Sequence, residues 1–179
     1  MKKYRLHVFI FWFLFTFGVI SFYGVFYLAS VGYFGDMPDF RQLENPKTNF
    51  ASEIISSDNK ILGKYYFNDN RTPIEYEEIN PETINALIAI EDERFYSHPG
   101  IDLKATLRAI IFLNQRGGAS TITQQLARQL FVGVRSRNIF QAVTQKIKEW
   151  VIAVRLEKQY TKEEILTMYL NIYDFGYYG

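Results

Sequence analysis

The feature that most constrains this chain is a stretch near its N-terminus that carries no charge. Residues 6–35 contain no Asp, Glu, Lys or Arg, and most of them are large apolar or aromatic residues. A membrane-spanning helix needs about 20 apolar residues, so the part from Val8 to Ala29 is long enough to cross a bilayer. The competing interpretation is a cleaved signal peptide, but the apolar core of such a peptide is usually about 7–15 residues long. We therefore predict an uncleaved membrane anchor.

The charges beside this stretch predict its orientation. Lys2, Lys3 and Arg5 precede the apolar residues, and Asp36 and Asp39 follow them. Basic residues favour the cytoplasmic side of a membrane. The N-terminus is therefore expected in the cytoplasm, and everything that follows the span is expected outside.

The remainder of the chain is close to neutral and lacks cysteine. All 19 acidic residues follow residue 35, together with all but three of the 20 basic ones. There is no basic run with interleaved aromatic residues of the kind that binds nucleic acid, so we expect no nucleic-acid partner. The absence of cysteine excludes a disulfide framework and a thiolate metal site.

Local signals divide the chain into three parts. Residues 1–35 form a cytoplasmic tip and the anchor, residues 36–78 a membrane-proximal linker with a small β hairpin, and residues 79–179 the domain that carries the motifs described below. The hairpin is predicted for residues 51–67, where pairs of apolar residues flank a Ser-Asp-Asn turn. The predicted helices are Pro81 to Glu91, Asp102 to Leu113, one that starts at Ser120 or Thr121, one over about 139–158, and one after a capping box at Thr161.

Glu91 occupies a position where helical periodicity calls for an apolar residue. Ile84, Leu87 and Ile88 recur at the spacing of one helical face, and Glu91 is the next position on that face. A carboxylate there is expected to be partly desolvated, and desolvation raises its pKa towards the range of a general base. The alternative is a glutamate at the helix end that turns to water or pairs with Arg94.

Two later helices also show a face pattern. On the helix after Ser120, one face is apolar and the opposite face is polar. On the helix over 139–158, the pattern predicts a buried apolar stripe with a charged surface opposite to it. The predicted apolar faces are Ile122, Leu126 and Leu130 on the first helix, and Ile147, Trp150, Val151 and Val154 on the second. The predicted opposite faces are Thr121, Gln124 and Arg128 on the first, and Lys148, Glu149, Ile152 and Arg155 on the second.

Four blocks of sequence resemble the motifs of the peptidoglycan glycosyltransferases, the lipid II-polymerising domain of class A penicillin-binding proteins and of monofunctional transglycosylases. They occur in the family's order over roughly residues 81–175. The blocks are 91–100 (EDERFYSHPG), 117–125 (GGASTITQQ), 145–149 (QKIKE) and 162–171 (KEEILTMYLN). The third departs from the family's Arg-Lys-x-x-Glu, because Gln145 stands at the arginine. Arg135 or Arg137 is a candidate substitute for it.

The resemblance implies a mainly α, lysozyme-like domain that polymerises lipid II with inversion at the anomeric carbon and releases undecaprenyl pyrophosphate. Glu91 is then the general base and Glu149 the second functional glutamate, which could also hold Mg²⁺ or another divalent cation. No covalently bound cofactor is expected. The implied substrate-binding residues are Ser120, Thr121, Gln124, Gln125, Arg128, Lys146 and Lys148. The implied structural residues are Asp92, Phe95, His98, Gly100 and Asn171.

The resemblance also implies a location and partners. The chain is expected in the bacterial cytoplasmic membrane with its domain outside, in contact with lipid II and the growing glycan strand. The last residues of the chain are rich in aromatics, namely Tyr173, Phe175, Tyr177 and Tyr178. This composition predicts that further helices follow and that the domain over residues 79–179 is truncated at its C-terminus. A transpeptidase domain is expected in cis or in trans. The alternatives are a lysozyme-like hydrolase of finished peptidoglycan and a non-catalytic membrane scaffold.

Overall fold

The chain forms a mainly helical structure behind a long N-terminal helix, as seen in a computed structural model that describes residues 2–38, 52–65, 72–112 and 118–173. Helix α1 runs from Lys2 to Ser30, and Tyr4–Ser30 is long and apolar enough to cross a membrane. The described residues contain no second helix of this kind. The mainly α fold with one apolar N-terminal helix and a small sheet confirms the predicted fold class.

The predicted β hairpin is present. Strand β1, Ser52–Ile55, pairs antiparallel with β2, Ile61–Tyr65. Asn59 lies in the connecting turn with φ 60°, a left-handed conformation that asparagine tolerates better than most residues. Both strands are largely exposed, so the hairpin contributes little to the core.

Among the described residues, five helices follow the hairpin, and their capping residues match the predicted ones closely. Asn80 caps α2 by accepting a hydrogen bond from the backbone N–H of Glu82 at 2.9 Å, and the capping box at Thr161 is complete. The predicted end of the second of these helices at Leu113 lies outside the described residues. The helices are α2 Pro81–Glu91, α3 Leu103–Ile111, α4 Ile122–Ala127, α5 Ile139–Gln159 and α6 Lys162–Ile172.

Three shorter turns complete the framework. A 3₁₀ turn at Tyr76–Glu78 precedes α2, and a second at Phe95–Ser97 follows it. Helix α4 continues into a π-helical turn at Arg128–Val132, which ends at Gly133 with φ 78°. The π turn is consistent with a functional site, where such turns are frequent.

The core lies between α4, α5 and α6. Its largest fully buried side chains include Phe95, Leu126, Leu156 and Tyr169. Helix α4 is buried along its whole length, because α5 and α6 both pack against it. The polar face of α4 is therefore not open to solvent along the helix. Thr121 and Gln124 lie inside, and only Arg128, at the helix end, is partly exposed.

The predicted buried stripe of α5 is wrong. The buried side chains are Glu149, Ile152, Ala153 and Leu156, whereas the apolar stripe that includes Trp150 is only half-buried. The reason is that α5 packs on two sides, against α4 and against α1. The ring of Trp150 stacks on Phe26 of α1, with centroids 5.9 Å apart. The apolar periodicity of α5 therefore identified the face that packs against α1 and not the face that packs against the core.

Polar contacts also join the end of α1 to α5. Arg155 donates from Nη2 to the carbonyl of Ser30 at 3.0 Å, and Lys148 donates from Nζ to the carbonyl of Asp36 at 3.3 Å. Cations near the C-terminal end of a helix satisfy its free carbonyls and favour its dipole. The anchor therefore attaches to the helix that carries Lys146 and Glu149.

Candidate active site

A cleft of about 210 Å³ opens where the end of α2, the start of α3 and the segment before α4 meet. Glu91, Arg94, Arg108 and Ser120 are among its lining residues. Side chains from the first two sequence blocks therefore share one cavity. This is the arrangement expected if the two blocks act on one substrate.

Glu91 lies in the last turn of α2, at the rim of the cleft. Its side chain is exposed, so the expected desolvation of this carboxylate is wrong. Ile84 and Leu87 are buried, but α2 leaves the core after them, and the neighbouring Ile90 is 79% exposed. The face pattern therefore predicts burial correctly only for the part of α2 that packs against the core.

Although it is exposed, the Glu91 carboxylate is held by buried groups. Gln125 donates from Nε2 to Glu91 Oε2 at 2.7 Å, and the hydroxyl of Tyr169 donates to Gln125 Oε1 at 3.1 Å. Burial, with Tyr173 and Glu91 nearby, raises the pKa of Tyr169 well above its usual value. Gln125 therefore holds the Glu91 side chain. The resemblance implied a contact of Gln125 with substrate but not this role.

Arg94 does not pair with Glu91, which was the alternative weighed for that residue. It donates to Asp102 Oδ2 from Nε at 2.8 Å, with Nη2 2.6 Å from the same oxygen. Burial opposes the ionisation of Asp102, but the backbone N–H of Ala105 and the charge of Arg94 lower the pKa of this carboxyl below its usual value. Arg94 is thereby fixed on the cleft wall, a placement that the sequence pattern did not reveal.

The loop after α2 is closed by Asp92 and His98, both buried. His98 Nε2 lies 3.0 Å from Asp92 Oδ1, and His98 Nδ1 accepts from the backbone N–H of Gly100 at 3.2 Å. This pattern fits the neutral ring with its proton on Nε2. Asp92 Oδ2 also accepts from the N–H of Ile122 at 3.1 Å, so the loop is fastened to the start of α4.

Gly100 packs directly against α5. Its φ is +88°, and a Cβ there would lie 3.0 Å from the backbone of Ala153, so both conformation and space require glycine. The Gly100 carbonyl accepts from Thr121 Oγ1 at 2.7 Å and from Gln124 Nε2 at 3.2 Å. Thr121 and Gln124, expected to bind substrate, thus use these side-chain groups to join the two motif loops.

A partly buried ion pair fastens the same loop. Lys162 lies 2.7 Å from Glu157 Oε2, donates to the carbonyl of His98 at 2.9 Å, and stands 4.2 Å above the ring of Phe95. Glu157 also accepts from Thr123 Oγ1 at 2.5 Å. Lys162 is the first residue of the fourth sequence block, whereas no sequence pattern indicated Glu157.

Lys146 is the centre of a second polar cluster. Its ammonium donates to Ser120 Oγ at 2.8 Å, to Gln124 Oε1 at 2.9 Å and to Glu149 Oε2 at 2.8 Å. Glu149 is 3% exposed, so the prediction that it lies on an exposed surface is wrong. The cluster joins the second sequence block to the third.

Two arginines contribute to the electrostatics of Lys146. Burial lowers the pKa of this ammonium, Glu149 opposes that shift, and the charges of Arg135 and Arg128 add to the lowering. Arg128 and Arg135 are therefore near enough for their charges to act on Lys146, which itself pairs with the buried Glu149 carboxylate. Such a concentration of positive charge suits a polyanionic ligand.

Lys148 lies elsewhere. Two positions along a helix are about half a turn apart, and Lys148 faces the end of α1, where it binds the carbonyl of Asp36. In this structure the Lys148 ammonium therefore does not belong to the cluster around Lys146, and its implied contact with substrate stays a prediction.

Gln145 holds the turn that carries Arg135. Its Oε1 accepts from the N–H of Ser136 at 2.8 Å, and its Nε2 donates to the carbonyl of Val134 at 3.1 Å. The glutamine that replaces the family's arginine therefore brackets Arg135 on both sides. The charge of that arginine acts on Lys146. Arg135 and Arg137 are both exposed, and which of them substitutes for the family's arginine stays a prediction.

Asn171 joins the last helix to the segment before α2. Its side chain accepts from the N–H of Ile74 at 3.0 Å and donates to the carbonyl of the same residue at 2.9 Å. The pair of hydrogen bonds closes a contact between residues far apart in the chain. Asn171 acts here through the backbone of another segment and not through the cleft.

A divalent cation does not fit the protein side chains alone. Among the residues that the structure describes, no three His, Asp or Glu come together as a metal site. Glu149, the expected ligand, is a single carboxylate whose Oε2 binds Lys146. Hard cations favour several oxygen ligands, so Mg²⁺ would need oxygens from a substrate.

Comparison with known proteins identifies the family. The Transglycosylase family model matches residues 58–179, and the chain belongs to this family. Penicillin-binding protein 1A of Escherichia coli is 37% identical over 145 residues, which are 79% of this chain and 16% of that protein. Its counterpart in Vibrio cholerae is 35% identical over 164 residues, 89% of this chain and 19% of that protein.

A third relative shows a similar level of identity. Penicillin-binding protein 1F of Bacillus subtilis is 38% identical over 131 residues, 71% of this chain and 18% of that protein. The chain thus spans less than a fifth of the length of these three relatives. The similarity confirms the family that the four sequence blocks indicated.

Proposed function

We propose that this protein is a peptidoglycan glycosyltransferase that polymerises lipid II into glycan strands with inversion at the anomeric carbon. Family membership supports the class of reaction. The observation that carries the proposal is the Glu91 carboxylate at the rim of the cleft, which Gln125 holds while the adjacent Gln124 binds Lys146. A base and a phosphate site on neighbouring elements are what this transfer requires.

Glu91 is the general base in this mechanism. Its carboxylate removes the proton from the 4-hydroxyl of the acceptor as that oxygen attacks the anomeric carbon of the donor. An exposed carboxylate is reachable by a bulky acceptor, and a single buried hydrogen-bond donor keeps it in one orientation. General-base catalysis contributes about 10²–10⁴-fold to a rate, so the proposed role is a large one.

The leaving group is undecaprenyl pyrophosphate. When the new glycosidic bond forms, the bond from the anomeric carbon to the phosphate oxygen breaks, and its electron pair stays on that oxygen. Arg128, Arg135 and Lys146 would stabilise the charge that develops. Ser120 and Gln124 hold the Lys146 ammonium in place. Any Mg²⁺ would arrive with the pyrophosphate, and no step depends on it.

The anchor and the partners follow from the substrate. Because lipid II is held in a bilayer, an enzyme fixed by α1 meets its donor and acceptor in the same membrane. We place the domain on the extracytoplasmic side of the bacterial cytoplasmic membrane, following the flanking charges of α1. A transpeptidase, in cis or in trans, is the proposed partner that cross-links the product, since the relatives are named penicillin-binding proteins.

The test is polymerisation of labelled lipid II by the full chain, followed on gels. We expect glycan chains from the wild type and from Glu82→Gln, a matched control in an exposed first-turn glutamate of the same helix. Glu91→Gln should give no chains while still binding lipid II. Chains of normal length from Glu91→Gln would refute the assignment of the base. Soluble muropeptides released from purified sacculi would favour a hydrolase.

A further inference from the structure

Tyr169 and Gln125 form a hydrogen-bonded chain that ends on the Glu91 carboxylate. The Tyr169 hydroxyl lies 3.1 Å from Gln125 Oε1, and Gln125 Nε2 lies 2.7 Å from Glu91 Oε2. Tyr169 is 0% exposed and Gln125 is 8% exposed. The chain therefore runs from the core of the domain to an exposed side chain at the cleft.

The chemistry of the two outer groups fixes the direction of the amide between them. An ionised carboxylate only accepts hydrogen bonds, whereas a phenol can donate one. Gln125 must therefore turn its NH₂ group towards Glu91 and its oxygen towards Tyr169. In the reversed orientation the amide oxygen would face the carboxylate, and two acceptors would repel each other.

Tyr169 is well suited to act as the fixed end. Its ring is buried in the core and stacks on Tyr173 with centroids 4.5 Å apart. The raised pKa of its hydroxyl keeps the proton in place for donation. Glu91, by contrast, is exposed, and an exposed side chain that nothing holds samples several rotamers.

We propose that Tyr169 is a positioning residue for the reaction, acting through Gln125 to hold the Glu91 carboxylate in its reactive orientation. This inference rests on the proposed function, since it assumes that Glu91 is the base. Small misplacements of a reacting group can cost up to about 10²-fold in rate. A loss of kcat without a matching change in KM is the expected signature.

The experiment measures kcat and KM for lipid II with Tyr169→Phe in the full chain. The ring and its packing remain, and only the hydroxyl is lost. We expect kcat to fall about tenfold, while KM stays within about twofold of the wild type. Tyr76→Phe is the matched control, because Tyr76 also packs against the core but lies next to Tyr96 and not Gln125.

A double-mutant cycle separates positioning from general loss of structure. Gln125→Leu removes both hydrogen bonds, so adding Tyr169→Phe to it should cost no further activity. A merely structural effect of the tyrosine would instead add to that of Gln125→Leu. Additive effects, or a kcat for Tyr169→Phe equal to that of the wild type, would overturn the inference.

The outcome for Glu91→Gln tells the two proposals apart. If Glu91→Gln abolishes polymerisation and Tyr169→Phe does not slow it, the assignment of Glu91 as the base is supported and the positioning role of Tyr169 is refuted. If Glu91→Gln polymerises normally, the proposed base fails and the positioning role fails with it. A tenfold slower Tyr169→Phe with a non-additive cycle supports both.

Discussion

Glu91 ends helix α2 in an exposed position, whereas Glu149 lies within α5 with 3% of its surface exposed. Glu91 accepts a close hydrogen bond from the neutral amide of Gln125, and Glu149 accepts one from the ammonium of Lys146. The exposed carboxylate can meet a substrate hydroxyl. The buried one is already paired with a cation.

This difference in exposure suits the two glutamates to different roles. A base must exchange a proton with a ligand, which requires access and an orientation. A carboxylate that neutralises a buried ammonium contributes instead to the folded state, because removing it leaves an uncompensated buried charge. Under the proposed function, Glu91 carries the chemistry and Glu149 maintains the cationic cluster.

The largest expected effect is that of Glu91→Gln, which should lower activity without lowering stability. Glu91→Gln should lower kcat by about 10²–10⁴-fold, since the amide cannot take the acceptor's proton. Its melting temperature should stay close to that of the wild type because the side chain is exposed. Turnover of labelled lipid II and a thermal melt of the same preparation check both points. A large loss of stability would show that Glu91 is structural after all.

The second prediction distinguishes the two lysines of the third block. Lys146→Ala should weaken binding of a lipid-linked pyrophosphate about tenfold or more, because it removes a charge from the cluster with Arg128 and Arg135. Lys148→Ala should leave this affinity unchanged, since Lys148 binds the linker after α1. Titration of a fluorescent pyrophospholipid measures both. Equal losses in the two variants would place both lysines at the phosphate.

A third prediction concerns alkaline pH. The pKa of Lys146 lies below its usual value of 10.5, so between the folded and unfolded values the unfolded state binds more protons. Stability should therefore rise with pH across that interval. Affinity for pyrophosphate should fall across the same interval, because Lys146 loses its charge. Urea unfolding and ligand titration up to about pH 10.5 check the two slopes.

The control for the pH prediction is Lys146→Met, which keeps a similar side-chain length without the ammonium. Both slopes should disappear in this variant. If the loss of affinity persists at the same pH, another group is responsible for it. If stability falls with pH in the wild type, the direction of the Lys146 shift is wrong.

The smallest expected effect concerns Gln145. Gln145→Ala removes the two hydrogen bonds that hold the turn around Arg135, so the affinity for pyrophosphate should fall about threefold to fivefold, equivalent to about 1 kcal/mol. Gln145→Arg restores the family's residue and should recover the affinity through its own charge. An affinity of Gln145→Ala equal to that of the wild type would show that the turn holds Arg135 without Gln145.

Much of the fold could be predicted because its signals are local. The apolar stretch of α1, the cap at Asn80 and the capping box at Thr161 each depend on neighbouring residues, and the structure confirms them. The four ordered blocks predicted the family. These signals can be recognised without knowing which helices pack against one another.

The errors arose where tertiary contacts decide burial. Periodicity detects an amphipathic helix with one covered face, but α4 is covered on all sides and α5 on two. The same reasoning misplaced Glu91, since a helix can leave the core before its pattern ends. Tyr169 and Glu157 were missed because each acts through a partner that is distant in sequence, so no spacing rule reveals them.

The most direct test of the assignment of roles is the free energy of unfolding of Glu149→Gln beside that of Glu91→Gln. We expect Glu149→Gln to lose about 2 kcal/mol, the contribution of a hydrogen bond to a charged group, because the Lys146 ammonium then lacks its counter-charge. Glu91→Gln should stay within about 0.5 kcal/mol of the wild type, as exposed substitutions usually do. Equal losses in the two variants, or a larger loss for Glu91→Gln, would contradict the division of work between the two glutamates.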